Sequence, residues 1–123
     1  MQNHILLSVA VVVAVFVVGC STYVNKPLYT TELVMEQGFK GKESPAARVG
    51  RGEGTAADFR LLAELTESLP LNAPPKGDAA SWKEKSTALA KAGKDLAAGK
   101  AGALEVWKAA ANCKACHSVH KPD

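Results

Sequence analysis

The sequence predicts an all-α fold, an antiparallel bundle of four helices. In four stretches of the 123-residue chain, apolar side chains recur every three or four positions, which is the period of an amphipathic helix. No stretch alternates with the period of two that is typical of a half-buried strand. The connections between the four stretches are short, so each apolar stripe has to be covered by a neighbouring helix.

Helix one is predicted to begin after Thr30, with Glu32 in its first turn, and to end near Phe39. Residues 42–54 follow it and contain one proline and three glycines. This composition favours a loop, with one helical turn at 46–49.

Helix two is predicted to start at Thr55, which forms a capping box with Asp58, and to stop near Pro70. Its apolar face consists of Phe59, Leu62, Leu65, Thr66 and Leu69. Residues 74–77 include two prolines and keep the chain extended before it turns back.

Helix three is predicted to start at the cap residue Asp78. Its inward face consists of Trp82, Ser86, Leu89, Gly93 and Leu96. Gly99 and Gly102 then bracket a short connection to helix four. The positions that mark helix four are Ala103, Val106, Trp107, Ala110 and Cys113 or Lys114.

The segment Cys113–His117 reads Cys-x-x-Cys-His, the pattern that attaches haem covalently in c-type cytochromes. Each thiol can form a thioether with a haem vinyl group, and His117 can bind the iron from one face. Cys113 and Cys116 are three positions apart and therefore lie on one side of a helix. The alternative interpretation is a helix end that holds two cysteines and a histidine by chance.

With this motif at the C-terminal end, the chain resembles the class II c-type cytochromes, the group of cytochrome c-prime and cytochrome c-556. The resemblance covers about residues 28–121 and rests on Val34, Met35, Trp82 and the terminal motif. Two features depart from the family pattern, because helix one is short and a glycine-rich loop follows it.

The resemblance implies a class II cytochrome domain at 28–123 with haem c held near the C-terminus of a four-helix bundle. Cys113 and Cys116 would form the thioethers, and His117 would be the proximal iron ligand. It also implies electron transfer with redox partner proteins rather than enzymatic activity, and paired bundles that form a homodimer. Trp82 and Trp107 are predicted to be core residues that pack near the porphyrin.

Met35 is the distal ligand that the resemblance implies, because low-spin family members carry a methionine at this position of helix one. Methionine also fills core space well, so Met35 can instead pack beside Leu33 or Phe39. Without a methionine ligand, the resemblance implies a five-coordinate haem that binds nitric oxide or carbon monoxide, as in cytochrome c-prime.

Residues 1–19 are predicted to be a signal peptide, because an apolar run from 5 to 18 suits its hydrophobic region better than a full membrane span. The run is followed by Gly19 and Cys20, which resembles a bacterial lipobox with Cys20 as the lipidated residue. Residues 20–27 would then be a lipid-anchored tether that holds the domain on the periplasmic side of a membrane. The alternative is an uncleaved anchor helix.

The formal net charge of +3 comes with no basic stripe that is interleaved with aromatic residues, so nucleic acid is not an expected partner. Lys108, Lys114 and Lys121 surround the motif. They form either an ordinary solvated face or a surface that steers an acidic redox partner.

A metal or thiol module is the third alternative, with Cys113, Cys116, His117 and His120 as its residues. Zinc is disfavoured, because the adjacent Cys116 and His117 cannot easily converge on a tetrahedron. A thioredoxin-like dithiol would need a helix N-terminus after a strand, a context that the predicted elements do not provide. His120 itself is interpreted as a surface histidine.

Overall fold

The computed structural model describes residues 26–123, and every regular element in that range is helical. The elements are α1 (Thr31–Val34), a π-helix (Met35–Phe39), α2 (Pro45–Gly50), α3 (Ala56–Glu67), a 3-10 turn (Leu69–Leu71), α4 (Ala79–Ala97), α5 (Ala103–Ala110) and α6 (Cys113–His120). The prediction of an all-α fold is confirmed for this range. The predicted signal peptide 1–19, the lipidation site Cys20 and most of the tether 20–27 lie outside the described residues.

The predicted starts of helices one, two and three are confirmed by their caps. The side chains of Thr30 and Asp78 accept hydrogen bonds from backbone N–H groups three residues ahead, at 3.2 and 2.8 Å. Thr55 and Asp58 form the reciprocal capping box of α3. The single turn expected within the loop is α2, which Ser44 caps directly before a proline.

Helix four is divided in two, which corrects the prediction of one helix running to Cys113. α5 ends at Ala110, and α6 begins at Cys113. Asn112 has non-helical backbone angles, and its side chain accepts the N–H of Ala115 at 3.1 Å. Asparagine is among the preferred N-cap residues, so this side chain favours a new helix start here.

α4 is the central helix of the described part of the chain, since it packs against α3, α5 and α6. It lies close to α3 at Gly93, where an added Cβ would lie 2.8 Å from Thr66 Oγ1 and 3.3 Å from Ala63 Cα. Glycine therefore sets the spacing of these two helices.

Two apolar clusters form the core. One contains Trp107 and Leu62 and joins α2, α3, α4 and α5. The other contains Val34, Leu65 and Trp82 and joins α1, α3 and α4. Among residues 26–123 no helix has the length and apolar character needed to span a membrane.

Candidate cofactor site

A cavity of about 370 Å³ lies between the π-helix, α4, the end of α5 and α6. Cys113, Cys116, His117 and Met35 all line this cavity. Most of the other lining side chains are apolar or aromatic, and they include Phe39, Leu69, Trp82, Leu89 and Ala110. Its volume falls in the range of about 300–1,000 Å³ that is usual for ligand sites. The structure thus brings together residues that the sequence separates by almost eighty positions.

The two cysteines of the motif have different environments. Cys113 is exposed at the first position of α6, and its Sγ lies 3.6 Å from the carbonyl oxygen of Ala111. Cys116 is half-buried and packs against the apolar cluster of Trp82. Burial raises the pKa of the Cys116 thiol, an effect that the nearby Lys85 ammonium partly offsets.

His117 is exposed at the edge of the cavity, and no hydrogen bond within residues 26–123 engages its ring nitrogens. It follows Cys116 directly and lies one helical turn beyond Cys113. Its imidazole therefore has a nitrogen lone pair to offer at the rim of the same cavity.

Met35 lines the cavity from the side of the π-helix and also packs against the cluster of Val34 and Trp82. Both roles considered for it, cavity ligand and core filler, are compatible with this position. A π-helical segment such as Met35–Phe39 is rare and is often associated with a functional site.

His120 is buried, which corrects its interpretation as a surface histidine. The residue is 2% exposed, and its ring packs edge-on against Trp82 with 5.4 Å between ring centroids. Nδ1 lies 2.8 Å from the carbonyl oxygen of Lys76, and Nε2 lies 3.1 Å from Ser81 Oγ. A carbonyl only accepts, so Nδ1 donates to it, and in the tautomer with its proton on Nδ1 the Nε2 atom accepts from the serine hydroxyl. His120 thereby fastens the motif helix to the start of α4.

Gly77 lets the chain pass close to that end of α6. Its φ of +81° is in the left-handed region, and an added Cβ would lie 2.8 Å from the carbonyl oxygen of Val119 and 3.3 Å from His120 Nδ1. Only glycine meets both conditions without strain. An ion pair of 2.8 Å between Lys76 and Asp123 lies at the same end.

The two tryptophans are core residues, as predicted. Trp82 lines the cavity and donates its indole N–H to the carbonyl oxygen of Asn72 at 2.9 Å. Trp107 is 1% exposed and stacks on Phe39, which is itself part of the cavity wall.

The lysines around the motif lie at the surface. Lys108 is 3.5 Å from the Glu105 carboxylate, and both Lys114 and Lys121 are exposed.

A larger recess of about 600 Å³ lies elsewhere, between the segment at Lys26, α3 and α4, and it includes no residue of the motif.

Between residues 26 and 123, no group of three or more His, Cys, Asp or Glu side chains is arranged to hold a metal ion.

Comparison with protein-family models, curated proteins and solved structures found no match to this chain.

The residues present fit a covalently bound haem. Two unbridged thiols three residues apart and an imidazole lie along one wall of the cavity, and apolar side chains form most of the rest. Thioether formation needs free thiols, and a porphyrin needs apolar walls that bury its faces. The break before α6 also puts Cys113 at a helix N-terminus, which is one of the two features of a thioredoxin-like dithiol. The other feature is a preceding strand, but the element before α6 is the helix α5.

Proposed function

We propose that this protein is a class II type cytochrome c that carries electrons outside the cytoplasmic membrane. The observation that carries the proposal is the single cavity lined by Cys113, Cys116, His117 and Met35. The motif alone could occur by chance, but its opening onto an apolar cavity favours a planar, hydrophobic cofactor.

Cys113 and Cys116 would hold haem c through thioethers, and His117 would bind its iron. When bound there, the haem supplies a one-electron couple, because its iron alternates between ferric and ferrous states. The chain's own part is to hold α6 in a fixed position, to exclude water with Trp82 and Leu89, and to present one edge of the site to a partner.

The four-helix bundle belongs to the same proposal. Its members would be the α1 and π-helical segment, α3, α4, and α5 together with α6. The packing of α4 against α3, α5 and α6 supports this arrangement, as does the cluster that joins α1 to α3 and α4. The first member covers only residues 31–39, so one side of the cavity has a short wall.

The sixth iron position distinguishes electron transfer from the alternative function. Met35 on the cavity wall favours a six-coordinate, low-spin carrier, because a thioether ligand raises the reduction potential. If Met35 only fills the core, a five-coordinate haem that binds nitric oxide or carbon monoxide is the better description. We place electron transfer first, because methionine reaches the same cavity as the motif.

Lipidation at Cys20 and residence on the periplasmic side of a membrane complete the proposal. They rest on the apolar run and the lipobox-like residues before Cys20. Lipoproteins carry more than one acyl chain, which is what stable anchoring requires.

Visible spectra of the purified holoprotein in both oxidation states, with and without carbon monoxide, test the function. An electron carrier should give low-spin spectra that carbon monoxide changes little. A high-spin ferrous spectrum that carbon monoxide converts fully would support the gas-binding alternative. A colourless protein that has two titratable thiols after expression with a haem c maturation system would contradict both.

A further inference from the structure

One basic side chain lies in the wall of the cofactor cavity. Lys85 is a half-buried residue of α4 and lines the cavity together with Cys116 and Trp82. Its ammonium group donates a hydrogen bond to Ser81 Oγ at 2.8 Å. None of the ion pairs among residues 26–123 involves Lys85.

Lys85 brings a positive charge to the wall of the cavity. Glu84 is the only carboxylate on the cavity wall, and it is exposed. It is the sequence neighbour of Lys85, and adjacent positions of a helix face in different directions. The cavity therefore presents an ammonium group that has no carboxylate partner of its own in the described chain.

Lys85 is also fixed in place relative to the motif helix. Ser81 Oγ accepts the Lys85 hydrogen bond and lies 3.1 Å from His120 Nε2. A hydroxyl oxygen can accept from one group while its own O–H donates to another, so Ser81 can contact Lys85 and His120 at the same time. One hydrogen-bond network thus connects the Lys85 ammonium group on α4 to His120 at the end of α6, the helix that carries the two cysteines.

We infer that Lys85 binds a carboxylate of the cavity ligand. This inference rests on the proposed function, in which the ligand is haem and the carboxylate is one of its propionates. A cation in an apolar wall is stabilised by an opposite charge, and an ammonium–carboxylate hydrogen bond is among the stronger polar contacts in proteins. Thioethers on α6 and this contact on α4 would hold the macrocycle at two separate places.

The test compares Lys85→Gln with Lys91→Gln in the holoprotein. Lys91 lies on the same helix with its side chain 73% exposed, pairs with Asp95 and does not line the cavity. Both variants lose one positive charge, so their comparison cancels the effect of net charge. The measurements are the reduction potential and the propionate bending bands of the resonance Raman spectrum.

Lys85→Gln should lower the potential clearly more than Lys91→Gln does, because an unneutralised propionate stabilises ferric iron. It should also shift a propionate band that Lys91→Gln leaves in place, and Lys85→Arg should restore both values. If both glutamine variants carry haem and change the potential and the propionate bands equally, the role of Lys85 is wrong but the proposed function is not affected. Absence of covalent haem from the wild type would overturn the role of Lys85 and the proposed function together.

Discussion

His117 and His120 lie one turn apart in α6 and have opposite environments. His117 is exposed at the cavity rim, whereas both ring nitrogens of His120 are engaged by α4 and the turn before it. A histidine that binds a metal must have a ring nitrogen without a hydrogen-bond partner, whereas both ring nitrogens of His120 are used to hold α6 in place. The burial of His120 therefore leaves His117 as the histidine of α6 that can serve as the proposed iron ligand.

Substitution of Met35 tests its proposed role as the distal iron ligand. It is the only methionine between residues 26 and 123, so Met35→Leu leaves no methionine to bind iron in the described part of the chain. The ferric holoprotein should lose the near-infrared band of methionine-to-iron charge transfer, and its potential should fall. Phe39→Leu, on the same cavity wall, should keep the band. A wild type without this band would show that Met35 does not bind iron.

Asp58 gives a prediction about stability and pH. Arg48 holds the pKa of this buried carboxyl well below its usual range, since its guanidinium donates to both carboxylate oxygens, and the N–H of Thr55 adds to the effect. The stabilisation is complete above about pH 4, the usual aspartate pKa, and is lost as the pH falls toward the lower folded value. Asp58→Asn should cost about 1–2 kcal/mol of unfolding free energy at pH 7, and less at pH 3.

Chemical denaturation of wild type and variant at a series of pH values checks this expectation. Asp78→Asn is the matched control, because asparagine caps a helix about as well as aspartate. A difference between Asp58→Asn and wild type that stayed constant down to pH 3 would contradict the role given to the ionised carboxyl.

At the scale of the element, the docking of α6 depends on the turn at Gly77. Gly77→Ala should release the end of α6, because the new Cβ would collide with the carbonyl oxygen of Val119. Gly52→Ala is the control, since its φ of +77° imposes similar backbone strain while nothing lies within 4 Å of the added atom. Hydrogen exchange of the α6 amides should accelerate in the first variant only. Equal exchange in both variants would argue against the turn as the support of α6.

The packing of α3 on α4 gives another prediction. Gly93→Ala should lower the unfolding free energy by up to about 2 kcal/mol, because overpacking against Thr66 and Ala63 costs about 1–3 kcal/mol and the gain in helix propensity is about 1 kcal/mol. Gly50→Ala, with open space around it, should change stability little or raise it slightly. Thermal unfolding of both variants measures the difference. A stabilised Gly93→Ala variant would mean that the helices are not in close contact there.

The starts of the helices were predictable, because capping depends on residues within three positions of each other. Thr55 with Asp58, and Asp78 with Ser81, are such local signals. Asn112 carries an equally local signal for the start of α6, but the helical spacing of the apolar residues on either side favoured one continuous helix.

Across the whole molecule, the motif could be recognised in the sequence, but the contacts that support its helix could not. Cys113–His117 is a contiguous motif that is recognisable from spacing alone. The burial of His120 depends on contacts with Ser81 and Lys76, 39 and 44 positions away, and the pairing of Lys85 with the cavity depends on packing between helices. Local patterns do not encode which chain segments meet at such distances.

The intact mass of the denatured holoprotein tests whether haem is attached covalently at Cys113 and Cys116. The wild type, expressed with haem c maturation, should carry the mass of one haem that stays on the polypeptide after unfolding. The double variant Cys113→Ser/Cys116→Ser should lack that mass. A wild-type polypeptide that lacks the added mass of haem, or haem that separates from it on denaturation, would contradict covalent attachment.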